Sequence, residues 1–394
     1  MLSFEAARDA LLASATAISA TESVPLTEAV GRVLAADVVS AIDVPPADNS
    51  AMDGYAIRVA EQGGGVLPVS QRIPAGSKAE PLQPGSLARI FTGAAIPPGA
   101  DAVVMQERCE VSEAGVRVQE VPGIGDNIRR RGEDIASGAV VLRAGERLGS
   151  AALGLAASIG IPRLTVYRRL RVATFFTGSE LQEPGTLLAA DRIYNSNQYM
   201  LAGLLAELGC EVISLGIVPD DLAATREALR KAALDSDLVL TCGGVSVGEE
   251  DHVKAAVEAE GALESWRVAI RPGKPLASGR IGATPFIGLP GNPVSSYVTF
   301  QLLVRPYLRR RQGMTDVLPR PVSLRAAFDW RKNVPVREFL RVRVDGDGTL
   351  QLFPNQGSAV LSSCAWAEGF VSNPPQTTIA KGDVVEFIPL GALA

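Results

Sequence analysis

Histidine is nearly absent from this chain, and its scarcity limits the chemistry more than any other feature of the composition. His252 is the only histidine among 394 residues, and no GxSxG motif accompanies it. A Ser-His-Asp triad would have to use that residue, so we expect acid–base chemistry to depend on carboxylates, lysines and arginines. Any bound metal is then expected to be a hard ion with oxygen ligands, such as magnesium.

Cysteines are few and scattered. The chain has four, Cys109, Cys210, Cys242 and Cys364, and none forms a CxxC pair. This spacing argues against a disulfide framework and against a structural zinc site. We expect three of them to be small core residues. Cys242 lies in a glycine-rich loop and is the candidate for an exposed thiol.

A basic tail and a long apolar run are also missing. The 38 basic and 43 acidic side chains give a net charge of −5, with no basic block that could follow a nucleic-acid backbone. The longest uncharged apolar run, LGSAALGLAASIGIP, is shorter than a bilayer span and contains glycines. No leader-like segment opens the sequence. We therefore predict no nucleic-acid partner, no membrane association and a cytoplasmic location.

The composition that is present is globular, with 47% hydrophobic and 21% charged residues. A chain of this length favours two to four domains. Ser3 can cap an opening helix, and TEAVGRVLA predicts a second helix from Thr27. We predict a discontinuous helical or linker domain over 1–40 and 135–168, an inserted β-rich domain over 41–134, an α/β domain over 169–317 and a C-terminal β domain over 318–394.

The α/β region alternates apolar strands with amphipathic helices. The strands are RVATFF, CEVISLGIV, DLVLTCGG, WRVAI and TPFIGLP, and the last helix is NPVSSYVTFQLLVRPYLRR. This order predicts a mainly parallel sheet with helices on both faces. Ligands of such sheets bind outside the carboxyl ends of the strands. The loops 177–185, 219–221, 241–251 and 288–295 should therefore lie along one edge.

Glycines and acids meet in these edge loops. Gly243 and Gly244 suit a backbone that approaches an anion, although a tight strand-to-helix turn explains them equally well. TCGGVSVGEED then ends in carboxylates that favour a helix start. N-capping explains at least one of Asp220 and Asp221, and Glu180 alone could be a solvated acid. Several carboxylates at one edge would repel each other, and a magnesium ion bound to a substrate phosphate would hold them together.

Basic residues follow at the same edge. Arg271 and Lys274 flank a Pro-Gly turn and suit oxyanions, with ordinary surface charge as the alternative. In GLPGNPVSS, Asn292 and Ser295 lie at a helix start, where a rigidly capped helix is the alternative. In the first half, PPADNSAMDGYAIR and GDNIRRRGEDIASG are rich in charge. Each is either a solvated face or a structured loop that meets an anion or another subunit.

Six motifs occur in an order that resembles one known family over nearly the full chain. They are DNSAMDGYA, RIFTGAAIPPGADAVVMQE, NIRRRGEDI, GGVSVGEEDHVK, RPGKP and GLPGNPVS. The family is that of the molybdopterin molybdenumtransferases, to which the C-terminal domain of gephyrin is related. The resemblance implies insertion of molybdate into adenylylated molybdopterin, with magnesium, and release of AMP.

The resemblance also implies an arrangement and a set of site residues. Members are elongated homodimers of four domains, with the active site between the α/β domain of one subunit and the inserted β-rich domain of the other. Transient contact with the molybdopterin adenylyltransferase and with apo-molybdoenzymes is expected. The implied catalytic acids are Asp53, Asp134, Glu180, Asp220 and Asp251, of which Glu180, Asp220 and Asp251 are the implied magnesium ligands. The implied substrate and anion contacts are Thr92, Arg129, Gly243, Gly244, Ser246, Arg271, Lys274, Asn292 and Ser295.

The sequence departs from the family pattern at three positions. The common TGDEL, IYDSN and SGGVS are TGSEL, IYNSN and CGGVS here, which places Ser179, Asn195 and Cys242 at those sites. Two acidic positions are thus neutral, and one potential magnesium ligand is missing or moved. Two other functions stay open: a non-catalytic scaffold of the gephyrin type, and the adenylyltransferase, which is a single α/β domain.

Overall fold

The computed structural model describes residues 1–244 and 252–391. The chain opens with helix α1 (Phe4–Ser14), which begins where the sequence predicts. The Ser3 side chain accepts a hydrogen bond from the Ala6 amide at 3.1 Å, and Ala7 and Leu11 are buried on one face. This cap satisfies one of the amides left unpaired at a helix start.

The second helix predicted from Thr27 is wrong. Only a single 3₁₀ turn, Leu26–Glu28, forms in that segment. Gly31 has φ +76°, which a continuing helix does not allow, and Val33 and Leu34 form bridges to Arg147 and Val166. Long-range pairing has therefore replaced the local helical pattern. Within 1–40 and 135–168, all of which the structure describes, the α-helices are α1 and α2 (Ser150–Ser158).

Short strands dominate the first 168 residues. They are β1 (Thr21–Pro25), β2 (Val38–Val39), β3 (Asn49–Ser50), β4 (Gly54–Ile57), β5 (Val66–Leu67), β6 (Val69–Ile73), β7 (Leu87–Ile90), β8 (Ala102–Met105), β9 (Cys109–Ser112), β10 (Gly115–Val118), β11 (Ile128–Arg129), β12 (Val140–Leu142) and β13 (Arg163–Tyr167). β6, β7, β4 and β8 form a four-stranded sheet, and β5, β10 and β9 form a three-stranded one. β1 pairs with β13 and β2 with β12, so the segments before and after the β-rich stretch pack together.

The central region contains the longest strands and helices. In chain order they are β14 (Arg171–Thr177), β15 (Leu181–Gln182), β16 (Ile193–Tyr194), α3 (Ser196–Glu207), β17 (Glu211–Val218), α4 (Leu222–Leu234), β18 (Leu238–Cys242), α5 (His252–Glu260), β19 (Gly261–Arg267), β20 (Ile270–Arg271), β21 (Pro275–Ile281), β22 (Thr284–Leu289), α6 (Pro293–Thr299) and α7 (Arg305–Arg311). A π-helical turn, Phe300–Val304, joins α6 to α7 just before Pro306, whose missing N–H cannot bond back in α-helical register.

The six-stranded sheet has the order β17-β14-β18-β22-β21-β19. Side chains alternate between its faces along β14: Val172 and Phe176 pack with α3 and α6, whereas Ala173 and Phe175 pack with α4 and α5. The predicted sheet with helices on both faces is therefore present. It is mixed rather than fully parallel, because β19, β21 and β22 are antiparallel neighbours.

WRVAI is not one strand of this sheet, contrary to the sequence-based prediction. β19 ends at Arg267, and Ile270–Arg271 instead pairs with the C-terminal sheet. The third member of this antiparallel group is Pro275–Ile281, which the sequence pattern missed. Its polar and glycine residues carry no strand periodicity, and it is held by neighbours on both sides.

The C-terminal part is a sheet with one short helix. Its elements are β23 (Val322–Arg325), β24 (Arg337–Val344), β25 (Leu350–Leu352), α8 (Ser362–Trp366), β26 (Gly369–Asn373) and β27 (Val384–Pro389). The predicted hairpin with Asp-Gly turns is confirmed as β24 and β25. β20 lies beside β24 and joins this sheet to the central region. None of the helices in the described part of the chain has the length and apolar character needed to cross a membrane.

Candidate anion-binding site

A cavity of about 1130 Å³ lies at the carboxyl edge of the six-stranded sheet. Its position agrees with the rule that open α/β sheets bind ligands outside the carboxyl ends of their strands. The ends of β14 and β18, the RPGKP turn and the PGNP loop form three sides, and the C-terminal part forms the fourth. Among the predicted site residues, those that line the cavity are Glu180, Gly243, Arg271, Lys274, Asn292 and Ser295.

Two cations in the RPGKP turn are available to a ligand. Arg271 and Lys274 are exposed, and within residues 1–244 and 252–391 neither side chain has an ion pair or a hydrogen bond. Gly273 between them has φ +92°, and a Cβ there would come within 2.9 Å of Thr299 Oγ1. A glycine is therefore required for the RPGKP segment to pack against the C-terminal end of α6. The turn thus presents to the cavity two positive charges that no described residue pairs.

The glycine pair after β18 is tightly packed. Gly243 has φ +93°, and its added Cβ would lie 3.2 Å from the Thr177 carbonyl oxygen. Gly244 has φ +66°, and its added Cβ would lie 2.4 Å from Val253 Cγ2. Both of the proposed explanations thus have support: Gly244 packs against the following helix, whereas Gly243 lines the cavity.

The PGNP loop leads into α6 without a side-chain cap. Asn292 occupies the N-cap position, yet its side chain makes no capping hydrogen bond and is exposed at the cavity. Pro293 follows at the first helical position, where its missing N–H has no cost. Ser295 is buried, and its hydroxyl has no hydrogen-bond partner in the described part of the chain. The polar groups of both side chains remain available to a ligand.

Acidic residues follow two neighbouring strands. The carboxylate of Glu180 lies over Gly178, where an added Cβ would meet Glu180 Oε2 at 2.7 Å. Asp221 is the N-cap of α4 and accepts a hydrogen bond from the Ala224 amide at 2.9 Å. Asp220, by contrast, is exposed and does not line the cavity, and its side chain has no hydrogen bond or ion pair among residues 1–244 and 252–391. Capping therefore explains one member of this pair and not the other.

The metal prediction reaches beyond the described residues. Outside 245–251 and 392–394, no group of three or more histidine, cysteine, aspartate and glutamate side chains is arranged to hold a metal ion. Asp251 and Ser246, like Glu249 and Glu250, fall within 245–251 and so lie outside the described residues. Glu180 and Asp220 are the predicted ligands that the structure describes, and both provide hard oxygen donors.

Asp53 and Thr92 lie elsewhere, in the β-rich part. Asp53 Oδ1 accepts hydrogen bonds from the backbone amide and the hydroxyl of Thr92, both at 2.8 Å. These bonds, the amide first, hold the pKa of Asp53 below its ordinary value. Neither residue lines the cavity of the same chain. The Asp53–Thr92 pair therefore places a negative charge on the exposed surface of the β-rich part.

The RRRGED segment contains both paired and unpaired charges. Arg130 forms an ion pair with Asp48 at 2.7 Å, and Arg131 forms one with Asp43 at 2.5 Å. Arg129 and Asp134 are exposed and have no side-chain partner among the residues that the structure describes. They do not line the cavity either. The two predicted site residues are thus the members of this segment whose charges remain free.

Two of the three departures from the family pattern have a structural explanation. Asn195 is buried, and its side chain caps α3 by accepting a hydrogen bond from the Gln198 amide, a role that asparagine fills as well as aspartate. Cys242 is buried, so the predicted exposed thiol is wrong. Its sulfur lies 2.8 Å from both the Pro290 carbonyl oxygen and Ser296 Oγ. Burial raises the pKa of Cys242 to about 12.

Sequence reasoning missed one polar residue and two wall segments. Asn197 donates hydrogen bonds to the Gly291 carbonyl oxygen and to Cys242 Sγ, and thereby joins the PGNP loop to the end of β18. Residues 334–336 and 356–359 come from the C-terminal part and line the cavity. The turn sequence PNQGS is typical of a loop, but no local pattern connects that loop to the RPGKP turn and the PGNP loop, which are distant along the chain.

Fold and cavity together define a multidomain α/β protein with a cavity lined by basic side chains at the edge of its sheet. Family models match almost the whole chain: the MoeA N-terminal region (domain I and II) at residues 2–160, a probable molybdopterin binding domain at 173–310 and the MoeA C-terminal region (domain IV) at 323–390. A molybdopterin molybdenumtransferase of Haemophilus influenzae is 40% identical over the full length of both chains. The chain therefore belongs to the molybdopterin molybdenumtransferase family.

Other relatives agree with this assignment. Molybdopterin molybdenumtransferase 2 of Mycobacterium tuberculosis is 43% identical over 74% of this chain and 76% of its own length. Among solved structures, a molybdopterin biosynthesis MoeA protein of Pyrococcus horikoshii OT3 superimposes with a TM-score of 0.86 at 30% identity, over 99% of this chain and all of the other. The overall fold is thus that of the MoeA proteins.

Proposed function

We propose that this protein is a molybdopterin molybdenumtransferase, which inserts molybdate into adenylylated molybdopterin and releases AMP. The observation that carries the proposal is the cavity at the sheet edge, where a glycine turn meets two cations and a serine hydroxyl that have no side-chain partner in the described part of the chain. Molybdate and the substrate pyrophosphate are both oxyanions, and such groups are bound by guanidinium, ammonium and backbone N–H donors. The family membership of the full chain supports the same activity.

We assign each cavity residue to the pyrophosphate or to molybdate according to its chemistry. Lys274 and the backbone at Gly243 would hold the pyrophosphate, because a compact cation and a glycine backbone both approach phosphate oxygens closely. Arg271 and Ser295 would position molybdate, since a planar guanidinium and a hydroxyl fix the orientation of an oxyanion. Asn292, which makes no cap, would donate to the same ligands. Gly244 and Ser246 complete the proposed set.

Magnesium is part of the proposal. Mg²⁺ binds one or two carboxylates together with substrate phosphates and water, and Glu180, Asp220 and Asp251 are donors of that chemical type. When bound, the ion would neutralise the leaving phosphate. Glu180 and Asp220 follow β14 and β17, which are adjacent parallel strands with Thr177 paired to Val218. Carboxylates at that edge could also orient the attacking water.

We also propose that the protein is a homodimer with a shared site. Asp53, Thr92, Arg129 and Asp134 lie outside the cavity of their own chain. Arg129 and Asp134, which no described residue pairs, and the exposed Asp53–Thr92 pair suit a second subunit whose cavity they would complete. The domain boundaries predicted above, 1–40 with 135–168, 41–134, 169–317 and 318–394, are proposed for each subunit. The apo-molybdoenzymes and the adenylyltransferase are proposed as transient partners.

The direct test is incubation of the purified protein with adenylylated molybdopterin, Mg²⁺ and molybdate. We expect AMP and active cofactor to appear together, and a chelator to stop both until Mg²⁺ is returned. AMP without active cofactor would contradict the insertion step. A scaffold would bind the substrate without turnover, and an adenylyltransferase would produce adenylylated molybdopterin instead of consuming it.

Substitution at the cavity makes the test specific to the site. We expect Lys274→Met to raise the KM for adenylylated molybdopterin at least about tenfold, because a charge-assisted contact to phosphate is lost. Arg117→Met is the matched control, since Arg117 is exposed on β10, also lacks an ion pair and does not line the cavity. If the two substitutions raise KM equally, the increase is caused by the change in net charge and not by the loss of a contact in the cavity.

A further inference from the structure

One wall of the cavity is held by a buried carboxylate that has no cationic partner. Glu338 is 2% exposed, and no lysine or arginine nitrogen of the described chain lies within 4.0 Å of its carboxylate. Its Oε2 accepts a hydrogen bond from Trp330 Nε1 at 2.6 Å and a longer one from Asn373 Nδ2 at 3.4 Å. Burial of a carboxylate without a cation is unfavourable, and an apolar residue would serve a purely structural role better.

The Trp330–Glu338 hydrogen bond closes a loop whose far end is the cavity wall. The loop runs from Trp330 to Glu338, and its residues 334–336 line the cavity. The Trp330 backbone is paired to Ile379, and the Val334 carbonyl accepts a hydrogen bond from the Gln376 amide at 2.8 Å. The loop is therefore fixed at both its start and its middle. The Trp330–Glu338 bond adds a side-chain link between this loop and β24, and its removal would loosen the wall relative to β24 while the two backbone contacts remain.

The same bond lies directly beside the proposed anion contacts. Glu338 is the register partner of Arg271, because β24 pairs with β20 in parallel. Glu338, Trp330 and Arg271 also border one small void behind the cavity. Lys332 lies in the same loop, and its ammonium is 4.7 Å from the centre of the Trp330 ring. A change in the Trp330–Glu338 bond would thus be transmitted to the separation between the wall and the cationic turn.

We propose that Glu338 and Trp330 are positioning residues for substrate binding. They hold the wall at 334–336 at the separation from the Arg271–Lys274 turn that an adenylylated substrate requires. The inference depends on the proposed function, since the substrate is the one proposed above. Glu338 acts as a hydrogen-bond acceptor in this role and does not touch the substrate.

The test compares steady-state kinetics of Trp330→Phe, Glu338→Leu and Glu338→Gln with those of the unchanged protein. Trp330→Phe and Glu338→Leu should raise the KM for adenylylated molybdopterin about tenfold and leave kcat within about twofold, because a hydrogen bond to a buried charged group is lost from the wall and not from the reacting atoms. Glu338→Gln should restore a KM close to that of the unchanged protein, since its amide oxygen still accepts from Trp330.

Trp366→Phe is the matched control. Trp366 belongs to the same C-terminal part and packs edge-on against Phe353, but it does not line the cavity. A purely structural role would lower the melting temperature of Trp330→Phe while KM stays unchanged, and that result would overturn the proposal. So would an equal KM increase in Trp366→Phe. If Glu338→Leu does not fold, Trp330→Phe decides the question alone.

The outcome also separates this inference from the proposed function. If the unchanged protein releases AMP and Trp330→Phe has the same kinetics, the transferase activity stands and only the positioning role is contradicted. An unchanged protein that releases no AMP would instead contradict the proposed function. Equilibrium binding of AMP as the probe should weaken in Trp330→Phe by a factor similar to the KM change, which repeats the test without turnover.

Discussion

At the scale of single residues, the predicted site cations differ from neighbouring arginines in whether an acidic partner is present. Arg130 and Arg131 are paired to aspartates, whereas Arg129, Arg271 and Lys274 have no acidic partner in the described chain. Exposed ion pairs contribute little to stability. Their main effect here is that the guanidinium groups of Arg130 and Arg131 are already paired and less available to a ligand. Within the RRRGED and RPGKP segments, the cations without an acidic partner in the described chain are those that resemblance to the family implies as site residues.

Asp53 gives a pH-dependent prediction. Thr92 stabilises the charged carboxylate, so Thr92→Val should raise the pKa of Asp53 toward its ordinary value while the backbone amide keeps part of the effect. A carboxyl with a lowered folded-state pKa contributes stability above its unfolded pKa, and this contribution is lost as pH falls through the folded pKa. Titration of aspartate carboxyls by NMR measures the shift, with Asp53→Asn to assign the signal. A downward shift in Thr92→Val would contradict the hydrogen-bond assignment.

Cys242 gives a prediction about reactivity. Burial raises the pKa values of Cys242 and Cys210 to about 12 and those of Cys109 and Cys364 to about 11. Because thiolates are the reactive form, we expect all four cysteines to resist alkylation at neutral pH until the protein unfolds. Mass spectrometry after iodoacetamide treatment, with and without urea, measures this. Rapid labelling of native Cys242 would show that its surroundings open.

Removal of the Cys242 sulfur should affect stability more than its replacement by oxygen. Cys242→Ala should cost about 2 kcal/mol of unfolding free energy, since a buried group and its polar contacts are lost. Cys242→Ser should cost less because it can retain the contacts to Pro290 and Ser296. Urea unfolding of both variants provides the comparison. Equal losses would mean that packing, and not hydrogen bonding, decides this position.

At the scale of elements, helices were more predictable than strands. α3, α4 and α5 follow local periodicity, and their buried residues recur at helical spacing. The long α6–α7 helix is buried on nearly all sides, as its apolar sequence indicates. The predicted TEAVGRVLA helix failed because Gly31 and distant strand partners outweigh a weak local preference. The strand Pro275–Ile281 was missed because its pairing with β19 and β22, not its composition, holds it in place.

The RPGKP turn provides a prediction at this scale. Gly273→Ala should destabilise the protein by about 1–3 kcal/mol, because alanine disfavours positive φ, and its Cβ would meet Thr299 Oγ1 at 2.9 Å. Gly203→Ala is the control: Gly203 lies within α3 with nothing near its added Cβ, and alanine there should stabilise the helix by about 0.5–1 kcal/mol. Thermal unfolding measures both. Stabilisation by Gly273→Ala would show that the turn adjusts freely.

At the scale of the whole molecule, the separation of the site residues is the main feature. The acids and cations of the β-rich part do not line the cavity of their own chain. A second subunit that supplies them would make the site a property of the dimer, because a two-fold axis creates two equivalent composite sites.

Complementation between two inactive variants tests this arrangement. Asp53→Asn and Lys274→Met should each lower activity, but a heterodimer of the two would contain one site built only from unchanged residues. Co-expression should then restore about one quarter of full activity in the unselected mixture, as random pairing makes half of the dimers mixed and each has one intact site. Mixed dimers purified through two affinity tags should show about one half. If purified mixed dimers show no recovery of activity, all of these residues act in the site of a single chain.

The sequence alone determined the main helices, most of the central strands and the chemistry of the edge loops, because periodicity and glycine geometry are local properties. Tertiary structure alone decided that Cys242 is buried, that Asp221 and not Asp220 caps α4, and that residues 334–336 and 356–359 form a cavity wall. Burial, pairing and desolvation depend on neighbours that are distant along the chain. No local pattern therefore specifies which charges are left free to bind a ligand.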